Sequence, residues 1–303
     1  MVVRPRTTAE VSKVLRYCND NRIGVVPHGG NTGVVGGAVP INDELILSLE
    51  GMNHIENNIA GNNTSNSGDD GSYDDGIVTC DAGCTLQSLH DHAQSRGLTF
   101  PIDISSKGSC MIGGNISTNA GGSYYHRYGS VSSNLLGLEA VMADGTILDL
   151  MSRVPKDGGV NCYNSKDLFV GSEGTLGIVT RAVFQCPPLS KSRKVAFVGC
   201  DSFKSVLQIL TDAHLILGET LAAVELMDRV VLDLVGEKMD IPIRMVNDLA
   251  KEENYEFCIL VETLGSNADH DDEKMELFLE RILGDGLAMD GILAQDLTQV
   301  SVV

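Results

Sequence analysis

One stretch limits what this chain can fold into more than any other: Lys107-Gly108-Ser109-Cys110-Met111-Ile112-Gly113-Gly114-Asn115-Ile116-Ser117-Thr118-Asn119-Ala120-Gly121-Gly122. It consists mostly of glycines, short hydroxyls and two asparagines. Such a segment buries little apolar surface of its own, so folding energy alone is a poor reason for it. Positions without a side chain let backbone N–H groups come close to a ligand, and concave runs of such amides bind anions. The stretch therefore predicts a fold built to present a backbone cradle.

The rest of the chain has the means to build that support. Its 303 residues are 43% hydrophobic and 21% charged, near globular averages, and long enough for two domains. No apolar run approaches the roughly 18 residues that would cross a bilayer. A net charge of -19 argues against a nucleic-acid partner, whose phosphates call for a basic face. The eight cysteines are scattered without a Cys-x-x-Cys pair, which favours reduced core thiols over a disulfide or metal framework. Met1 to Arg6 has neither the apolar core of a signal peptide nor the length of an amphipathic transit peptide.

Local signals place the elements. Thr7 and Glu10 form a capping box ahead of Val11, Val14, Leu15 and Cys18 at helical spacing. A strand, Ile23 to Val26, follows and is expected to end at Pro27. Next come Gly29-Gly30-Asn31-Thr32-Gly33 and Gly36-Gly37. A P-loop would need a Lys beside Ser or Thr, and none follows. A Rossmann fingerprint would open a helix, whereas Val34 to Pro40 has no helical pattern. A pyrophosphate loop using backbone amides and a plain turn both remain open at this point.

Further on, Glu44 to Leu49 reads as a strand and Asn57 to Asp75 as an exposed polar insertion. Ile77 to Cys80 is a strand, and Thr85 to Arg96 a helix stopped by Gly97. His90 and His92, two apart, point to different helix faces, which argues against a shared metal. Arg127 suits a carboxylate, a phosphate or a surface position equally. Leu135 to Met142 and Thr146 to Leu150 make a hairpin about Ala143-Asp144-Gly145. A third glycine segment, Gly171-Ser172-Glu173-Gly174-Thr175-Leu176-Gly177, precedes a strand from Ile178 to Cys186. Pro187-Pro188 then marks a domain boundary. Beyond it, strands (Lys194 to Cys200, Leu221 to Leu226, Phe257 to Glu262) alternate with helices (Phe203 to Leu217, Glu273 to Leu283). A last strand is suspected just before Val303. The expectation is an α+β chain with domains at 1–188 and 189–303.

Taken together, the three glycine segments resemble the flavoproteins of the vanillyl-alcohol-oxidase type, and within that type most nearly the D-2-hydroxyglutarate dehydrogenases. The likeness is carried by Arg4 to Thr8, by Pro27 with Gly29 to Gly33, and by all of Gly108 to Gly122. It extends through Arg127-Tyr128-Gly129-Ser130, Ala143-Asp144-Gly145-Thr146 and Gly171 to Ile178. In the second half Glu225, Met227-Asp228, Glu262-Thr263 and Gly265-Ser266-Asn267 also match. The resemblance implies an FAD-binding domain of two α/β subdomains followed by an α+β cap, here incomplete. It implies cofactor contacts at Pro27, Gly29, Gly30, Asn31, Thr32 and Gly33 for the pyrophosphate. Pro101, Gly108, Ser109, Gly113, Gly114, Asn115, Thr118, Asn119, Gly121 and Gly122 would line the phosphates and isoalloxazine. Glu173, Gly174, Gly177 and Ile178 would close the adenine and ribose side. Relatives that attach flavin covalently carry a His after the double glycine; Asn31 stands there, so non-covalent FAD is expected.

The implied chemistry is oxidation of a D-2-hydroxy acid, with electron-transfer flavoprotein as acceptor, in mitochondria. Relatives also hold zinc and substrate around a Gly-His-x-Gly-Asp-Gly-Asn-x-His motif and a following Glu-His. Neither occurs here, where the last histidine is His270. No catalytic residue or metal ligand is therefore assigned. The resemblance leaves three readings open: a dehydrogenase shortened at both ends, a flavin-binding chain without turnover, and a D-lactate dehydrogenase or glycolate-oxidase-like relative.

Overall fold

The computed structural model describes residues 1–56, 75–151, 164–238 and 255–294. The polar run after Asn57 lies outside the described residues as far as residue 74, as does the strand suspected before Val303. Two compact units emerge: Met1–Gly122 with Tyr128–Leu189, and Ser123–Arg127 with Ser190–Val303. No helix among the described residues is long and apolar enough to cross a membrane.

The first unit opens with β1 (Val2–Val3), α1 (Thr8–Asp20), β2 (Val25–His28) and β3 (Leu45–Ser48). The Thr7 hydroxyl accepts from the Glu10 N–H and starts α1, whose Val11, Leu15 and Cys18 are buried on one stripe. The three strands form a parallel sheet in the order β1-β3-β2. Strand β2 runs through Pro27 to His28 rather than stopping at the proline. It lies at the sheet edge, where the missing N–H removes no ladder bond.

A second sheet is built from β4 (Ile77–Asp81), β5 (Leu135–Val141), β6 (Ile147–Leu150) and β7 (Ile178–Gln185). It is antiparallel throughout, in the order β4-β7-β5-β6. Helix α2 (Leu86–Ser95), capped by Thr85, buries Leu86, Leu89 and Ala93 in the same core. Phe100 and Phe184 lie fully buried there with ring centres 5.2 Å apart. Burial of each is worth about 1.5–3 kcal/mol.

The glycine stretch is not all loop. Residues Ile112–Ser117 form a short helix, α3. Its Ile112 N–H donates to the Cys84 carbonyl at 3.0 Å and its Gly113 N–H to the Ala82 carbonyl at 2.8 Å. Ile112 and Ile116 are fully buried. The turn after β4 thus bolts the middle of the stretch to the core. Short helices α4 (Tyr125–Tyr128) and α5 (Val131–Asn134) follow.

The second unit contains β8 (Ser192–Cys200), α6 (Phe203–Ile216), β9 (Leu221–Asp228), α7 (Arg229–Lys238), β10 (Phe257–Gly265), α8 (Ala268–Gly284) and β11 (Asp290–Leu293). Its antiparallel sheet runs β11-β8-β10-β9. Helices α6 and α8 cover one face, packing Ile209, Met275 and Phe278 over Ala196, Val198, Ile259 and Val261. Asn267 caps α8 by accepting from Asp269 and His270 N–H. The segment Ser123–Arg127 belongs to this unit. Arg127 Nη1 donates to the Glu219 carbonyl at 2.6 Å, and the His126 and His214 rings meet edge to face at 5.2 Å. Burial, then His214, lowers the His126 pKa.

Candidate functional site

The first unit encloses a cleft of about 290 Å³, near the lower end of the range for small-molecule sites. Three chain segments far apart in sequence wall it. The loop after β2 contributes Pro27 and Gly29 to Gly33, and α3 contributes Gly113, Gly114, Asn115 and Thr118. The turn before β7 contributes Glu173, Gly174, Gly177 and Ile178.

The six remaining residues of the expected set do not line it. Pro101 is buried in the core. Ser109 packs its carbonyl against Gly30, so closely that a Cβ on Gly30 would lie 1.9 Å from that oxygen. Gly108 is exposed. Asn119 accepts from the Ser132 N–H at 3.2 Å, tying α3 to α5. Gly121 and Gly122 lead the chain out of the stretch, and Gly122 takes a left-handed backbone with φ of 94°.

Backbone hydrogen bonding explains what the cleft can hold. None of the N–H groups of Gly29 to Gly33 donates to an acceptor among the described residues. Apart from chain neighbours and the helix's own backbone, Gly114 has no described atom within 4 Å of where a Cβ would stand, and neither does Gly33. Asn115 is only 7% exposed, yet its Oδ1 has no hydrogen-bond partner. A buried polar atom left alone costs about 1–3 kcal/mol, so this one asks for a ligand donor. The site therefore offers free amide donors along one wall, and beside it Asn115 keeps a buried acceptor without a partner among the described residues. A dinucleotide with a pyrophosphate and a heterocycle bearing N–H groups fits that pairing.

Charge is sparse. Among the described residues no lysine or arginine lines the cleft, and Glu173 is its one carboxylate. An anion there would be held by dipoles rather than by ion pairs. Asn31 and Glu173 adopt left-handed backbones, with φ of 53° and 51°. Asparagine tolerates this conformation, whereas for glutamate it stores strain of order 1–3 kcal/mol. The Glu173 N–H donates to the Ser117 carbonyl at 2.8 Å and fixes the turn against α3.

Other lining residues had no signal of their own in the sequence. Met111 and Cys110 fall inside the glycine stretch, while Ile104 and Leu49 reach the cleft only through the fold. His28 also lines it, and its Nε2 bonds the Ala38 carbonyl. The described cysteines are all free thiols and buried. Among the described residues no three His, Cys, Asp or Glu side chains are placed to hold a metal ion.

Residues 1–151 match the family described as FAD binding domain, and residues 189–302 the family described as FAD linked oxidases, C-terminal domain. A probable mitochondrial D-2-hydroxyglutarate dehydrogenase of Oryza sativa subsp. indica is 45% identical over 301 residues. That alignment takes in 99% of this chain and 50% of the relative. The mitochondrial D-2-hydroxyglutarate dehydrogenase of Rattus norvegicus is 43% identical across 100% of this chain and 52% of its own length. The chain thus spans about half the length of the curated relatives it matches. A solved alkyldihydroxyacetonephosphate synthase aligns with a TM-score of 0.75 at 19% identity, over 99% of this chain and 53% of that one. At that identity the likeness speaks for the fold alone.

Proposed function

The chain belongs to the FAD-linked oxidases, with a fold of the vanillyl-alcohol-oxidase type, and from that premise we propose that its first unit binds FAD non-covalently in the cleft. The observation that carries the proposal is the pairing of unbonded amides at Gly29 to Gly33 with the orphaned Asn115 Oδ1. The amides of Gly29 to Gly33 would take the pyrophosphate. Gly114, lacking a side chain, would let the ring approach the backbone of α3, and Asn115 would accept from an N–H of the ring. Glu173 would accept from a ribose hydroxyl. Asn31 carries no nucleophilic nitrogen for a covalent link, which supports the non-covalent mode.

The reaction proposed for the protein is oxidation of a D-2-hydroxy acid, D-2-hydroxyglutarate above all, to the 2-oxo acid. The names of relatives similar along the whole described chain support that substrate class and a mitochondrial setting. When bound, FAD supplies the two-electron acceptor for the hydride leaving C2, while the hydroxyl proton departs to a base or solvent. The electrons would then pass to electron-transfer flavoprotein. What this chain's residues do is hold, orient and shield: buried Ile178 and Val179 and the half-buried Met111 and Ile104 form an apolar side to the cleft, and the amides define its polar side.

The test is spectroscopic. The purified chain is expected to be yellow, with flavin released by denaturation rather than retained on the polypeptide. Colourless folded protein that takes up no added FAD would sink the cofactor assignment. Bleaching of the spectrum on anaerobic addition of D-2-hydroxyglutarate would support the dehydrogenase reading. A yellow protein that no hydroxy acid bleaches would favour flavin binding without turnover.

A further inference from the structure

We propose that His28 is a positioning residue, a latch that holds the loop from Gly29 to Ala38 in the form whose amides face a pyrophosphate; this rests on the FAD reading of the cleft. Beyond Gly29 and Gly30, which pack against Met111 and the Ser109 carbonyl, the loop has little else to hold it. Val34, Val35, Val39 and Ile41 are 97%, 86%, 57% and 81% exposed, so apolar burial does not fix its course. Within the loop itself the backbone bond is a single one, Val39 N–H to the Gly36 carbonyl at 3.0 Å. Against this, the backbone of His28 is anchored on the sheet, because its carbonyl accepts from the Leu49 N–H at 2.9 Å. From that anchor the imidazole reaches ten residues ahead and bonds the Ala38 carbonyl. A carbonyl only accepts, so Nε2 carries the proton. The bond closes the loop end to end while leaving the five amides from Gly29 to Gly33 unengaged.

A merely structural histidine would be tied to global stability. A latch acts on the loop and, through it, on the cofactor. The experiment compares full-length wild type with His28→Leu, which keeps bulk without a donor, and His28→Gln, whose side-chain amide nitrogen has the reach of Nε2. One readout is the rate at which an elastase-type protease, cutting after small aliphatic residues, nicks the flavin-free chain between Val34 and Val39, located by mass. The second is the FAD dissociation constant by fluorescence titration.

Losing one neutral hydrogen bond should speed cleavage and weaken FAD binding by about two- to tenfold each in His28→Leu. His28→Gln should recover both. The melting temperature of the flavin-free protein should stay nearly constant across the three. Equal cleavage rates in wild type and His28→Leu would overturn the latch, as would a His28→Gln variant as labile as His28→Leu. If no form binds FAD, the cofactor reading fails, and the cleavage rates still judge the latch on their own. Should His28→Leu not fold, His28→Ala removes the donor without adding bulk and is read in the same two ways.

Discussion

Gly114 and Gly30 both border the cleft, yet opposite consequences are expected of adding one methyl group to each. Gly114 sits inside α3 with open space where its Cβ would be. Alanine there should favour the helix by about 0.5–1 kcal/mol while intruding on the ligand. Gly114→Ala is therefore expected to melt at or above wild type and to bind FAD more weakly, and Gly114→Val to lose FAD altogether. Undiminished flavin content in the valine variant would count against the cradle. Gly30→Ala drives its Cβ into the Ser109 carbonyl and should destabilise the unit by about 1–3 kcal/mol, seen as a lower melting temperature. Asn115→Leu separates the two effects again. It removes a buried acceptor that the protein does not satisfy, so the flavin-free form should keep or gain stability while FAD affinity falls. Equal FAD affinity in that variant would remove Asn115 from the site.

Elements show how such residues are held, and α2 carries a pH dependence of its own. The His90 ring bonds the Ile102 carbonyl at 2.7 Å and meets Phe100 edge to face at 5.9 Å. Burial lowers its pKa, outweighing the Ile102 bond and Asp103, which raise it. The folded state then binds a proton less readily than the unfolded chain. Stability from this site is present above the ordinary histidine value near 6.5 and declines as the pH falls toward the folded value. His90→Gln keeps a donor for Ile102 without the titration, so its unfolding free energy should vary less between pH 7 and 5. A slope equal to wild type would reject the assignment.

The same elements show what sequence could reveal. Helix α1 was legible because the cap at Thr7 coincides with apolar spacing, α2 because its apolar spacing stops at Gly97, and the β5–β6 hairpin because Asp144-Gly145 punctuates it. Helix α3 was not, since Gly113, Gly114, Asn115 and Ser117 disfavour a helix locally and tertiary bonds from Ala82 and Cys84 stabilise it. Pro27 was read as the end of β2, although a proline within a strand suits an edge position equally, and the edge is where β2 lies. Of the cleft, the glycine segments were legible in composition and resemblance. Ile104 and Leu49 were not, because only the packing of distant segments brings them there.

At the scale of the molecule, the chain has separate cores, one around Phe100 and Phe184 in the first unit and others around Phe278 and Phe197 on the two faces of the second unit's sheet. It leaves the first unit after Gly122, joins the second through Arg127 and Glu219, and returns at Tyr128. A single unfolding free energy is then a poor description, because two-state behaviour is a property of single cores. Calorimetry is expected to resolve two transitions. Among the described residues the cleft is lined by the first unit alone, so FAD should act on that transition. At a free concentration of one hundred times the dissociation constant it adds about 2.7 kcal/mol. For a unit of this size that is a rise of roughly 5–10 °C. The second transition should not move, because none of that unit's described residues line the cleft. A shift confined to that transition would place the cofactor in the other unit. A single transition moving as a whole would mean that the Ser123–Arg127 crossing couples the two cores strongly enough for them to unfold as one.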